Sequence, residues 1–398
     1  MPDKLYQLSF DGTPSDPDLY GDVLELEVDC SVLTASTFSL RVSTVLDDSG
    51  SWRHLNDSRF DLFTEVAISV GFGGAGAAGA EPVFDGYVTG SWLHVGSEPG
   101  SAYLEVHGSD AMVLLGLEEK AVAWPNLSDS DIAQQIVSGY GMTVNATSTG
   151  IVHQDTETLI VQRGSDAQFV RQLAERNGYL FCFQVDSSNP QATCYFGPPQ
   201  LGAAPQADLA VQFGLNSNLA AFDVQMSGAR PLAVDAQQVD PHGKSPNSGS
   251  ASSTQLTVLG ANPLESLVGS KLGQLVTPLQ NQAGMLLLPQ PTADATELQA
   301  VAQSVRDEAG WLTSASGEIN SEAYGHVLRP GGLVVVKGVG SLHSGKYFVT
   351  RVTHRLKADG SYTQGFEAQR NASDLDGSEQ FSSGAGAGSG AAAAMAAV

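Results

Sequence analysis

Residues able to do chemistry are few in this chain and poorly placed for it. Gly74, Gly76 and Gly79 match the spacing G-x-G-x-x-G. A dinucleotide site needs such a loop to open a helix, so that amide groups and the helix dipole meet a pyrophosphate. Here Glu81-Pro82 and a strand-like run follow, so the segment reads as a hairpin loop. The eight histidines stand at 54, 94, 107, 153, 242, 326, 343 and 354. Adjacent strands could bring His94 and His107 together, yet a metal site needs three or four convergent ligands. Cys30, Cys182 and Cys194 make neither a metal spacing nor an even disulfide set. Glu118-Glu119 and Asp47-Asp48 are adjacent pairs and read as solvated, whereas glycoside hydrolysis needs two carboxylates facing one cleft. No nucleophile-elbow, zinc-protease or phosphate-loop motif is present. The sequence therefore predicts no catalytic residue, no cofactor and no metal.

Composition narrows the classes further. The 398 residues suffice for two or three domains, and 42% are hydrophobic, enough for a sizeable core. Nineteen basic against 43 acidic residues give a net charge of −24, which argues against nucleic-acid binding through clustered Lys and Arg. The N-terminus MPDKLYQLSFDG has no apolar signal core, and no run approaches a membrane span. A reducing cytoplasm is the expected place of synthesis, with Cys182 a small buried hydrophobe. The triplets at Asn126, Asn145 and Asn371 then read as chance glycosylation matches.

The elements that would position any site are mostly strands. Residues 1–118 read as a β domain, with alternating runs at Asp22–Val28, Thr37–Val42, Glu65–Phe72, Val83–Val88 and Ala102–His107. In the first run Val23, Leu24, Leu26 and Val28 are the apolar members. Trp52, Phe60 and Phe63 are expected to pack a connecting segment. Residues 119–215 read as a small α+β domain. Ser128 and Asp131 make a capping box ahead of Ile132, Ala133, Ile136 and Val137.

The clearest stretch is Gln154–Phe183. Leu159, Ile160 and Val161 predict a short apolar strand, and Ser165 with Gln168 a second capping box. Phe169, Val170, Leu173 and Ala174 form one helical face. Asn177-Gly178 ends the helix, and Tyr179–Phe183 is a buried strand.

Residues 216–372 read as a second β domain. Strands are expected at Leu219–Met226, Leu232–Gln238, Trp311–Ile319, Gly332–Lys337, Tyr347–Leu356 and Gly365–Ala368. Residues 241–290 read as a long loop region: Pro241–Ser253 is rich in Gly, Ser and Pro, and Ser253–Gln290 mixes β-type runs such as Leu256-Thr257-Val258 with loop residues. A helix capped by Asp294 or Thr296 follows, carrying Leu298, Val301, Ala302, Val305 and Ala309. Turns are expected at Arg329-Pro330-Gly331 and Asp359-Gly360. Residues 373–398 end in GAGAGSGAAAAMAAV and read as a flexible tail.

Two separated stretches carry a family resemblance. Ser165–Phe183 resembles a signature of the phage late control protein D family, which includes the contractile phage tail hub and the front part of VgrG spike proteins. Gly325–Phe366 is similar to the closing segment of that family. The matching residues are Phe169, Leu173, Gly178, Tyr179, Pro330, Gly331, Gly345, Tyr347 and His354.

The resemblance implies a mainly β fold with an α+β part: two tail-tube-like β-barrel domains plus a small α+β domain. It implies a non-enzymatic baseplate hub, assembled in the cytoplasm as part of a phage tail or tail-like injection particle. Three copies would form a ring of six barrel units. That trimeric adaptor would join the sixfold inner tube to a threefold spike, with other baseplate proteins around it. VgrG proteins continue into a β-helical spike, so the spike is expected to be a separate polypeptide. The competing classes are a cell-wall hydrolase at the needle tip and a secreted carbohydrate-binding β protein.

Overall fold

The structure, a computed structural model, describes residues 5–48, 50–72, 79–98, 100–156, 159–187, 189–240, 243–275, 284–287 and 295–377. The chain divides into two compact units. One comprises Met1–Pro199 with Arg351–Gly365, and the other Gln200–Thr350 with Phe366–Val398. Both are built around antiparallel sheets, giving a mainly β fold with an α+β part.

In the first unit the strands are β1 (Tyr6–Phe10), β2 (Val23–Ser31), β3 (Thr37–Ser43), β4 (Glu65–Val70), β5 (Glu81–His94) and β6 (Tyr103–Asp110). The sheet order is β2-β3-β6-β5-β4-β1, and residues 351–357 pair with β2 on its other side. Burial alternates with the period of two that strands impose. Phe38, Leu40 and Val42 of β3 are buried, as are Leu104 and Val106 of β6. The opposite face carries opposite charges in register: Arg355 lies 2.9 Å from Glu27, and Arg41 lies 3.1 Å from Glu105. Exposed pairs of this kind stabilise weakly.

The α+β elements of this unit are β7 (Glu119–Trp124), α1 (Asp129–Gly139), β8 (Val144–Ala146), β9 (Ile160–Ser165), α2 (Asp166–Arg176), β10 (Leu180–Gln184) and β11 (Thr193–Gly197). Both capping boxes form: Ser128 with Asp131 on α1, and Ser165 with Gln168 on α2. Each satisfies two backbone donors that a helix start leaves open. Ile132, Ala133, Ile136 and Val137 of α1 meet Phe169, Val170, Leu173 and Ala174 of α2 in one core, closed by Phe181, Phe183, Cys194 and Phe196.

The second unit contains β12 (Leu219–Met226), β13 (Ala233–Val239), β14 (Pro246–Ala251), α3 (Leu264–Leu275), β15 (Gly284–Leu287) and α4 (Ala295–Glu308). It continues with β16 (Thr313–Asn320), β17 (Leu333–Lys337), β18 (Gly345–Lys357) and β19 (Tyr362–Arg370), the last two contributing residues 345–350 and 366–370. The larger sheet runs β12-β16-β19-β18-β17, and a smaller one runs β14-β13-β15. α4 covers the smaller sheet through Leu298 and Ala302, which meet Val234, Ala236 and Ala251.

Several expectations need correction. The stretch 241–290 is not one long loop: β14 pairs with β13, and α3 occupies Leu264–Leu275. Leu256-Thr257-Val258 lies outside any strand. β9 begins at Ile160 and buries Gln162 while Leu159 and Val161 stay exposed, because its inward face meets a polar network. Leu24 is exposed beside a register shift in β2, where the alternation slips. Phe60 packs on Phe10, but Phe63 is exposed with φ of 66°. Val301 and Val305 are half-buried, and Arg306 takes the fully buried place on α4. The glycines at 74 and 76, the cap at Asp294, and residues 378–398 of the tail lie outside the described residues.

Candidate assembly surface

The nine family-like residues form turns and cores. Phe169 and Leu173 lie in the α1–α2 core, and Gly178 follows α2 at φ 67°, where a side chain would be strained. Tyr179 sets its ring 5.6 Å from Phe196 and donates its hydroxyl to the Ser148 carbonyl at 3.3 Å. Pro330 and Gly331 make the turn before β17; Gly331 has φ of 84° and donates its N–H to the Val349 carbonyl at 2.8 Å.

Gly345 and Tyr347 surround Arg370. The buried Arg370 guanidinium lies 5.4 Å from the Tyr347 ring centre and donates to the carbonyls of Ser344 and Asp374, each at 2.8 Å. A β-carbon on Gly345 would stand 2.5 Å from the same guanidinium. Tyr347 donates its hydroxyl to the His343 carbonyl at 2.7 Å. His354 is 1% exposed, and its Nδ1 lies 2.9 Å from the Tyr362 hydroxyl. These residues specify backbone and packing.

His94 and His107 do not become neighbours. His94 faces Tyr103 and stacks on it at 4.9 Å, whereas His107 faces Gly90, because the β5–β6 register sets them apart. Among the described residues no group of three or more His, Cys, Asp or Glu is placed to hold a metal. No described helix is long and apolar enough to cross a membrane.

Buried charges escaped the sequence reading. Asp129 lies 2.6 Å from Arg176 Nε and accepts from Asn177 at 2.6 Å, with His153 Nε2 at 2.9 Å. Burial pushes its carboxyl up, but His153, Arg176 and Asn177 outweigh that and hold it below the usual range. Asp166 is likewise held low against its burial by Lys120 at 2.6 Å, Tyr140 at 2.6 Å and Gln162 at 2.6 Å. Asp110 goes the other way: burial raises it from 3.8 to about 6, despite the amides of Ser36 and Met112 donating to it. The one sequence signal was position: Asp129 and Asp166 open helices, where an acid favours the dipole.

The features fit for assembly are sheet edges. β1 is plugged: Leu8 donates its N–H to the Tyr20 hydroxyl at 2.8 Å and accepts at its carbonyl from Ser15 N–H at 2.9 Å. β14 is plugged by Gln299, whose side chain bonds both the N–H and the carbonyl of Ser250. Among the described residues β12 pairs on one side only, with β16. The Ser227 N–H donates to the Leu312 carbonyl, continuing the register that sets Met226 opposite Thr313. Gln225 and Asp223 share that phase, so Phe222, Val224 and Met226 turn their N–H and carbonyl groups outward.

Beside this edge lies a groove of about 350 Å³. Its floor is Ser314, Ala315 and Ser316 of β16. Asp223 and Gln225 form one wall, and Glu367 and Gln369 the other.

Residues 20–358 match the model of a family described as the Alg8 N-terminal domain. No curated protein matches the chain. Among solved structures, the 43 kDa tail protein of prophage MuSo2 from Shewanella oneidensis is similar at 13% identity and a TM-score of 0.62, over 93% of this chain and 100% of that one. The tail protein from Neisseria meningitidis is similar at 13% identity and a TM-score of 0.62, over 92% and 97%. An Escherichia coli component of the type VI secretion system is similar at 16% identity and a TM-score of 0.52, over 91% and 76%. At these identities the likeness establishes the fold, which is the β-rich fold of phage tail proteins.

Proposed function

We propose that this chain, which belongs to the Alg8 N-terminal domain family, is a structural component of a contractile tail or tail-like injection machine, and there the baseplate hub. The observation that carries the reading is the end-to-end correspondence with prophage tail proteins. The likeness to a type VI secretion component points the same way, as do the two stretches that resemble late control protein D.

In this reading three copies form a ring. Each copy supplies two β domains, residues 1–118 and 216–372, with the α+β domain 119–215 attached. Six β domains can match a sixfold tube, while threefold symmetry remains for a spike. The work is binding and load transfer, with no covalent step. Its partners are a spike protein, the inner tube protein and other baseplate proteins.

The test is the mass and shape of the purified chain, alone and with candidate spike and tube proteins, by light scattering and electron microscopy. The expected result is a threefold ring capped by the spike. A monomer that ignores both partners and cleaves peptidoglycan would replace the hub with the hydrolase reading.

A further inference from the structure

An eight-residue strand edge left open is a liability, because it templates pairing with any other strand. This chain plugs β1 with Tyr20 and Ser15, and β14 with Gln299. On β12, among the described residues, nothing pairs with the outward groups of Phe222, Val224 and Met226. Those groups ask for an extended backbone. Asp223, the acid that β12 itself contributes to the adjoining groove, favours a cation on it.

The chain itself offers such a strand. β9 is paired by β7 on one side, and among the described residues no other strand is bonded to it. It carries exposed Arg163 and exposed Val161, and no acid from Leu159 to Ser165. In a chain of net charge −24 an acid-free open edge is an unusual surface for a like-charged copy to meet. A cyclic trimer must join two unlike surfaces, one from each neighbour. Two different open edges of opposite local charge meet that requirement.

We propose that β12 of one copy receives β9 of a second copy of this chain, adding a strand to the sheet and setting Arg163 against Asp223. This names the ring contact of the hub reading and rests on it. Main-chain bonds supply affinity, and the charge pair fixes the register.

The test uses the full chain under conditions where the wild type forms its trimer. Hydrogen exchange is followed on the peptide 219–226, and trimer dissociation on dilution by light scattering. The trimer is expected to slow exchange of the Phe222, Val224 and Met226 amides by at least about tenfold relative to the diluted chain. Asp223→Arg and Arg163→Asp should each weaken the trimer by about tenfold, and the double variant should restore it. Melting curves show whether each variant folds.

A wild-type trimer whose 219–226 amides exchange as in the diluted chain overturns the proposal and leaves the hub reading standing. So do single variants that trimerise normally, a double variant without rescue, or protection that appears only when a spike or tube protein is added. A wild type that stays monomeric with both partners overturns the two together.

Discussion

Asp110 gives the sharpest quantitative expectation. It is 2% exposed at the end of β6 and accepts N–H bonds from Ser36 at 2.7 Å and Met112 at 3.0 Å. Burial raises its carboxyl from 3.8 to about 6. The folded chain therefore holds a proton there more tightly than the unfolded chain does. The sign follows: the stabilisation is complete below about 3.8, declines as pH rises and is gone above about 6. A gap of about two on the pH scale, at 1.36 kcal/mol each, amounts to about 3 kcal/mol. Asp110→Asn keeps the shape and one acceptor but cannot titrate. Urea unfolding of wild type and variant at pH 4, 5, 6 and 7 isolates the site, because every other group cancels in the difference. Wild type minus variant should fall by about 2 kcal/mol between pH 4 and 6 and level off by pH 7. A difference that is flat across that range, or that rises with pH, would refute the assignment of a desolvated carboxyl.

Other perturbations test other contacts. Asp129 is held low, so its contribution is present above the unfolded value and lost as pH falls through the folded one; Asp129→Asn should shallow the acid limb of the stability curve in the same unfolding assay. A β-carbon on Gly249 would stand 2.8 Å from the backbone of Gln299, so Gly249→Ala should force β14 off α4 and cost about 1–3 kcal/mol, read as a lowered melting temperature. Ser165→Ala removes the cap that receives the Gln168 N–H and should cost about 1 kcal/mol by urea titration, whereas Ser165→Asp should recover most of it. Arg306 is 1% exposed, paired with Glu265 and bonded to the Leu232 carbonyl at 2.7 Å; Arg306→Ala should cost about 3–5 kcal/mol, and Arg306→Met clearly less.

Legibility followed how local the determining forces are. α1 and α2 were readable because caps and apolar spacing act within a few residues, and the structure has both boxes in place. β9 was misread because its inward side is chosen by Asp166, which bonds Gln162, and by Lys120 and Tyr140, which come from distant parts of the sequence to bond Asp166; together they make Gln162 the buried residue. β14 was hidden for a related reason. Its Pro-Asn-Ser-Gly-Ser-Ala composition says loop, yet the glycine is there because the α4 backbone leaves no room for a β-carbon. Arg306 interrupts an apolar stripe, and only the placement of Glu265 and Leu232 explains it. The open edge of β12 left no trace in composition, since an edge is defined by which strand fails to arrive.

The family-like residues and the assembly surface are therefore different things. Gly178, Gly331 and Gly345 all sit at positive φ, and Tyr347, His354 and Leu173 are buried, so the resemblance follows backbone and core. What distinguishes a hub among chains with this backbone must lie on surfaces that the motif does not touch. Net charge sharpens the point. With 43 acids against 19 bases, copies repel at long range, and association has to come from short-range terms. Main-chain bonds at an open edge are short-ranged and carry no net charge. Added salt screens the general repulsion and the Arg163–Asp223 attraction alike. A ring held mainly by backbone pairing should then tighten as salt rises, whereas one held mainly by surface ion pairs should loosen.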